Sequence, residues 1–430
     1  MFREKGNSNV INVGTLRSQV ANVTNEASFI VPCSSARVIE YRINTTHIGA
    51  ASITVGGWIF YRSQMPHHTA AGAPAAIQPS GDPAVDAIRR GVEFLKVRQE
   101  PDGEFSAGML DPKPAFTAMV VDTLARTPDR LDEQTPFVAR AVKAIVAHQQ
   151  PDGGIYTPRL GLGNYCTSAA IMALEGTKNP AYAPVIAKAK DYVRGTQAAN
   201  GGTGYSAGSR GDLSNTMMSL EALKAAGLDE NSEEFKRAAA FVSMCQNNSE
   251  TNSQEYAAVV DDGGFIYRPG ESKAGEVTGR DGKVGYKSYG LMSYAGLVSF
   301  LWAGVKRDDP RVQSAFRWVE SNGTLEENRN LGDSGLYYYY LTMAKALHAY
   351  GQRQIRTADG KVHDWPAELA AKLVALQKPD GSWSNANNQW FENDPVLVTA
   401  YAVRTLSICR EAMAGGAGAP PAPAPAPAGK

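Results

Sequence analysis

Apolar residues at three- and four-residue spacing recur along the chain in two alternating kinds of segment. The first kind is amphipathic. In Asp82 to Gln99, Val85, Ile88, Val92 and Leu95 keep helical spacing with charges between them, which predicts a helix with one buried face. Thr135 to Gln149, Tyr182 to Gln197, Ser232 to Gln246, Asp309 to Glu320 and Asp364 to Gln377 repeat the pattern, most of them opening on an Asp, Ser or Thr N-cap. The second kind carries little charge, is rich in Ala, Met, Leu and Tyr, and often finishes in Gly. It comprises Ala115 to Arg126, Gly163 to Gly176, Asp212 to Gly227, Ser288 to Gly304, Gly335 to Gly351 and Pro395 to Cys409. Helices apolar nearly all round are buried on both sides. Aligned, they share a small hydroxyl seven residues before an apolar residue: Thr117 to Leu124, Thr167 to Leu174, Thr216 to Leu223, Ser293 to Phe300 and Thr399 to Leu406, with Tyr340 to Leu347 as the odd member.

A Gly-rich turn joins each outer segment to its inner one. Three turns read Gln-x-Pro-Asp-Gly, starting at Gln99, Gln149 and Gln377; Gln197-Ala-Ala-Asn-Gly201 is a degenerate copy, and Gln246 opens one broken by an insertion. The steps from Gln99 to Gln149, Gln197 and Gln246 are about fifty residues, the period of a helical repeat. Pro-Asp-Gly makes a tight reversal, with the Asp oxygen bonding nearby amides and Gly at positive φ. The Gln is placed to bond the orphan carbonyls of its own helix end and amides of the next helix. These residues therefore read as structural clamps. Six outer and six inner helices follow, and the weakly charged inner ones favour an all-α closed ring, an (α/α)6 toroid, over an open solenoid that would need polar caps.

Composition narrows the partners. Forty-three basic and 43 acidic residues cancel, which gives no footprint for nucleic acid and no polybasic membrane patch. Cys33, Cys166, Cys245 and Cys409 are scattered, which suggests neither a disulfide framework nor a metal site, and no cofactor is expected. Residues 1–81 lie outside the repeat and read as an irregular arm. Within it, Ile48 to Phe60 has the length of the apolar part of an export signal, so an exported and a cytoplasmic protein both stay open. Residues 82–411 hold the repeat, and 412–430 form an Ala/Pro tail expected to be extended and solvated.

The Gln-x-x-Asp-Gly-x-Trp/Phe turn between helices resembles the repeat of the terpenoid cyclases and protein prenyltransferases, the group of squalene-hopene cyclase and the prenyltransferase β-subunit. The resemblance covers roughly Asp82 to Arg410, and Tyr286 to Gly351 further resembles bacterial squalene-cyclase-like proteins. It implies the toroid and an apolar, isoprenoid-like small-molecule partner, with peripheral membrane contact left open. The family's catalytic groups are missing from the expected places. There is no Asp-x-Asp-Asp to protonate an alkene, and the helix where an Asp-x-Cys zinc ligand pair would stand reads Gly285-Tyr-Lys-Ser-Tyr-Gly-Leu. The nearest substitute acids are Glu392 and Asp394, which also fit an ordinary helix N-terminus.

Aromatic residues supply the candidate ligand contacts. Successive helix positions point about 100° apart, so one or two of Tyr337, Tyr338, Tyr339 and Tyr340 face the ring centre. Tyr286, Tyr289 and Tyr294 join them from the neighbouring segment, to line an apolar pocket or stabilise a cation. The insertion Asn247 to Lys287 is expected to cover the cavity end, with a hairpin near Phe265 and Tyr267. Two alternatives remain: a non-catalytic scaffold or interaction domain on the same ring, and a carbohydrate-active (α/α)6 enzyme, which would set paired carboxylates in the cavity.

Overall fold

The computed structural model describes residues 78–106 and 112–415, together with three short strands near the N-terminus. Those strands, β1 (Phe2–Glu4), β2 (Val10–Ile11) and β3 (Ile39–Tyr41), form an antiparallel sheet in the order β2-β1-β3, in a segment the sequence leaves without a pattern. The apolar stretch Ile48 to Phe60 and the tail beyond Gly415 lie outside the described residues.

Thirteen α-helices follow: α1 (Pro83–Arg98), α2 (Lys113–Ala125), α3 (Pro136–Ala147), α4 (Gly163–Thr177), α5 (Ala183–Gly195), α6 (Leu213–Ala225), α7 (Glu233–Met244), the single turn α8 (Ala257–Val260), α9 (Gly290–Trp302), α10 (Pro310–Asn322), α11 (Leu336–Tyr350), α12 (Trp365–Leu376) and α13 (Pro395–Ala414). Their starts are chemically marked. Asp82, Asp309 and Asp394 each accept main-chain amides at an N-cap and are followed by Pro at the first helical position. The inner helices pack in sequence, α2 on α4, α4 on α6, α6 on α9, α9 on α11, α11 on α13, and α13 back on α2. The ring is closed. The outer helices α1, α3, α5, α7, α10 and α12 lie against it, and between the layers Trp318, Trp383, Phe105, Phe235, Phe241 and Phe265 are fully buried.

The glutamines hold the outer layer, though with partners other than those expected. Gln99 Nε2 donates to Gly103 O in its own turn (2.9 Å) and to Phe137 O on α3 (2.7 Å). Gln149 bonds Gly153 O and Val185 O on α5, Gln197 bonds Gly201 O and Glu234 O on α7, and Gln246 bonds Gly263 O and Arg311 O on α10. Gln377 reaches Gly381 O and Ala87 O, both at 2.9 Å, and so ties the last outer helix to the first. The turn glycine makes this approach possible. Its φ lies between 80° and 91° in all five turns, and an added Cβ would come within 2.0–2.7 Å of a carbonyl oxygen on the next outer helix. The aligned hydroxyls complete the joint: Thr117, Thr167, Thr216, Ser293 and Thr399 accept the amides of Phe105, Ile155, Thr203, Phe265 and Trp383 at 2.9–3.1 Å.

The junction between α10 and α11 is built differently. There Tyr339 and Tyr340 donate their hydroxyls to Thr324 O and Leu325 O. A hairpin of β6 (Gln354–Arg356) and β7 (Val362–Asp364) follows α11, and from its turn Ala358 N donates to Glu320 O on α10. The insertion also departs from expectation. Its hairpin is β4 (Glu276–Thr278) paired with β5 (Val284–Tyr286), farther along than Phe265 and Tyr267. Phe265 is instead the aromatic that follows the fourth clamp, and Tyr267 O accepts from Leu213 N at the start of α6.

Candidate functional site

On helices covered from both sides, the residues that keep partial exposure away from the helix ends fall on one stripe. They are Met119 and Asp122 on α2, with Arg126 just past its end, Tyr165 and Met172 on α4, Ser214, Met218 and Glu221 on α6, Tyr338 and Lys345 on α11, and Arg404 on α13. Two contacts show that this stripe faces the ring's lumen. Tyr338 Oη lies 3.3 Å from Ser214 Oγ, and Lys345 Nζ lies 2.7 Å from Glu221 Oε2; both join α11 to α6, which are not neighbours in the ring.

The lumen is layered by helical register. At the level of the inner-helix N-termini the Tyr338 ring stacks on Tyr401, which stands one turn further along α13, with centroids 5.5 Å apart and planes at 28°. Tyr165 bonds the Tyr401 hydroxyl and lies 6.1 Å from the Tyr205 ring. Burial holds the phenols of Tyr165 and Tyr401 well above their usual range, so both are neutral donors. One turn further on, Met119 and Met218 line the wall. Next comes a charged layer. Asp122, Met172, Glu221, Lys345 and Arg404 each stand five residues after the aligned positions Thr117, Thr167, Thr216, Tyr340 and Thr399. Arg126 Nε pairs with Asp122 at 2.6 Å. Arg404 lies 3.8 Å from both Asp122 and Glu411, and its burial pushes the guanidinium pKa down against the pull of Asp122. Half-exposed Glu411 and His348, 4.0 Å apart, form the rim at the far end.

The acids at the inner-helix starts are engaged by backbone. Glu392 is 1% exposed. It accepts from Tyr338 N at the start of α11 and from Asn385 Nδ2, both at 2.8 Å. Asp394 accepts from Val396 N and Leu397 N at the start of α13. Asp212, fully buried, accepts from the main chain and side chain of Asn215 at the start of α6. Burial raises all three carboxyls, and the amides that bond them act in the opposite direction. Before Glu392, Trp390 and Phe391 adopt left-handed backbone (φ 53° and 64°) and are more than two-fifths exposed.

Of the sequence-marked tyrosines, Tyr338 faces the lumen. Tyr337 is buried edge-on to Tyr340, Tyr340 is turned to the α10–α11 junction, and Tyr294 packs edge-on to Tyr339. Tyr289 caps α9 in the core, and Tyr286 lies on β5 against Tyr256. Sequence reasoning missed Tyr165, Tyr401 and the charged layer. The signal for the last was present in the alignment of the hydroxyls, read five residues further on.

Residues 138–252 match the model of the squalene-hopene cyclase N-terminal domain. No curated protein sequence matches the chain. Among solved structures, a family 76 glycoside hydrolase from a bovine Bacteroides thetaiotaomicron strain is 10% identical, covering 78% of each chain, with a TM-score of 0.51. A protein from Actinoplanes is 16% identical over 76% of this chain and 99% of its own, at a TM-score of 0.49. An apo type II terpene cyclase from Scytonema is 14% identical over 77% and 98%, at 0.47. With its clamp repeat and its closed pair of helical layers the chain is an (α/α)6 toroid, of which residues 138–252 are similar to the squalene-hopene cyclase N-terminal domain.

Proposed function

We propose that the protein binds an apolar, isoprenoid-type molecule in the upper, aromatic part of the lumen and does not cyclise it. The observation that carries this reading is the contrast between two sets of groups at the same end of the ring. The partly exposed surface there belongs to Tyr165, Tyr338, Met119 and Met218, whose faces suit an alkene-bearing chain. The carboxyls there, Glu392, Asp394 and Asp212, are committed to helix starts. Protonating an alkene requires an acid whose proton points at the ligand, and oxygens turned to main-chain amides do not supply one. Among the described residues at this end, the same engagement leaves no facing pair of free carboxylates for glycan hydrolysis. The Tyr338 and Ser214 hydroxyls, which meet across the lumen, supply the polar end contact that fixes orientation.

The test is calorimetric titration with prenyl alcohols, followed by extraction and chromatography of the bound material. Saturable binding and recovery of unchanged alcohol are expected. Cyclic product would overturn the non-catalytic part, and absence of any binding would favour the scaffold reading, to which the cross-lumen Lys345 and Glu221 pair lends itself.

A further inference from the structure

We infer that the Lys345–Glu221 ion pair is the floor of the aromatic well and limits the chain it takes to about eight carbons in line, the main chain of two isoprene units; this rests on the apolar-ligand reading above. Tyr338 and Ser214 mark the upper layer, and Lys345 and Glu221 stand seven residues further along the same two helices. At the rise of an α-helix, seven residues are about 10 Å. Zigzag carbon–carbon bonds of about 1.5 Å fill that depth with about eight carbons. Nζ and Oε2 meet at 2.7 Å, and the side chains are only 15% and 13% exposed, so the pair is a bar across the lumen. Arg404 and Asp122 occupy the same register on α13 and α2, so four of the six inner helices present charge at this level. A longer chain would have to part a desolvated ion pair and set methylenes among charges, and past it would meet the polar rim of His348 and Glu411. Above the bar the lumen wall is Met and Tyr, which adapt to a flexible apolar chain.

Straight-chain alcohols from hexanol to hexadecanol measure the depth directly, by calorimetric titration of the full-length chain. Affinity should rise about fourfold per carbon while each methylene is buried, then stop rising near eight carbons. In the double variant Glu221→Leu, Lys345→Met the rise should continue to at least twelve carbons, and in the charge swap Glu221→Lys, Lys345→Glu the break should stay near eight. A wild-type series that keeps rising beyond ten carbons, or a double variant with the wild-type break, overturns the floor. The wild-type series stands as a test even if the double variant does not fold. Prenyl alcohols in the same assay separate the two readings. A break near eight carbons for straight chains, with geraniol no tighter than octanol, removes the isoprenoid preference and leaves the floor intact. Failure of every chain to bind removes both.

Discussion

Replacing Gln377 by Met keeps the length of the side chain and deletes its polar end. The wild-type amide donates to Ala87 O and Gly381 O at 2.9 Å each, and its Oε1 accepts from Arg90 Nε at 2.8 Å. Each amide–carbonyl bond contributes about 1 kcal/mol net. Ala87 and Gly381 are buried, so their carbonyls lose these bonds without gaining water, whereas half-exposed Arg90 turns to solvent at a cost under about 1 kcal/mol. The sum is about 2–3 kcal/mol, a fall in melting temperature of about 3–4 °C for a domain of this size. Equilibrium stability alone does not distinguish ring closure from any local bond, and amide hydrogen exchange does. Because Gln377 grips α1 from the other end of the sequence, its variant should lose protection in Pro83–Arg98, while Gln99→Met should lose it in α3. Unchanged exchange in α1, with α12 alone affected, would refute the reasoning that this clamp closes the ring.

Gly201→Ala should cost more than about 3 kcal/mol by denaturant unfolding, because its Cβ would sit 2.0 Å from Arg237 O as well as at φ 88°. Gly161→Ala, at φ 65° in open space, should cost only about 1 kcal/mol. Thr399→Val leaves the buried Trp383 amide without its acceptor and should cost about 1–3 kcal/mol in the same measurement. Glu221→Leu or Lys345→Met alone strands a buried charge and should cost about 3–5 kcal/mol, with most of the loss recovered in the double variant. Burial raises Glu392 above its ordinary value of 4.5. The folded chain therefore holds that proton more firmly than the unfolded one, and the contribution, full below the unfolded value, is lost as pH rises through the folded one. Glu392→Gln removes this loss, so the variant's melting temperature relative to wild type should climb as pH rises above the ordinary carboxyl value of 4.5; a constant difference would contradict the shift.

The ring was legible because its signals are local and repeated. Amphipathic and apolar helices alternate, each glutamine turn needs a positive-φ Gly, and the hydroxyl that bonds the turn recurs at one register, so the helices appear within two or three residues of their predicted bounds, except that α13 runs five residues past Cys409. The partners of Gln99 and Gln377 were not legible, since a glutamine's spacing within its own turn does not reveal a carbonyl 38 or 290 residues away. Nor was the lumen. Asp122, Glu221, Lys345 and Arg404 are isolated charges on apolar helices, and which face of such a helix points inward is set by packing on both sides rather than by an exposed polar face. The four consecutive tyrosines illustrate this: Tyr338 reaches the lumen, while the hydroxyls of Tyr339 and Tyr340 are spent on the junction below α10.

That junction gives the ring a seam. Five outer-to-outer joints share one glutamine fastening, including the joint where the first and last helices meet. The joint from α10 to α12 has no such glutamine; it is held by one main-chain bond from a surface hairpin, Ala358 N to Glu320 O, and by an exposed ion pair between Lys372 and Glu326. The ends of the helical chain are thus fastened more firmly than a point in its middle. A permuted chain with new termini in the β6–β7 turn and the old ends of the ring joined would cut the circle where it is already least secured, and it should keep the toroid better than one opened at any of the five glutamine joints.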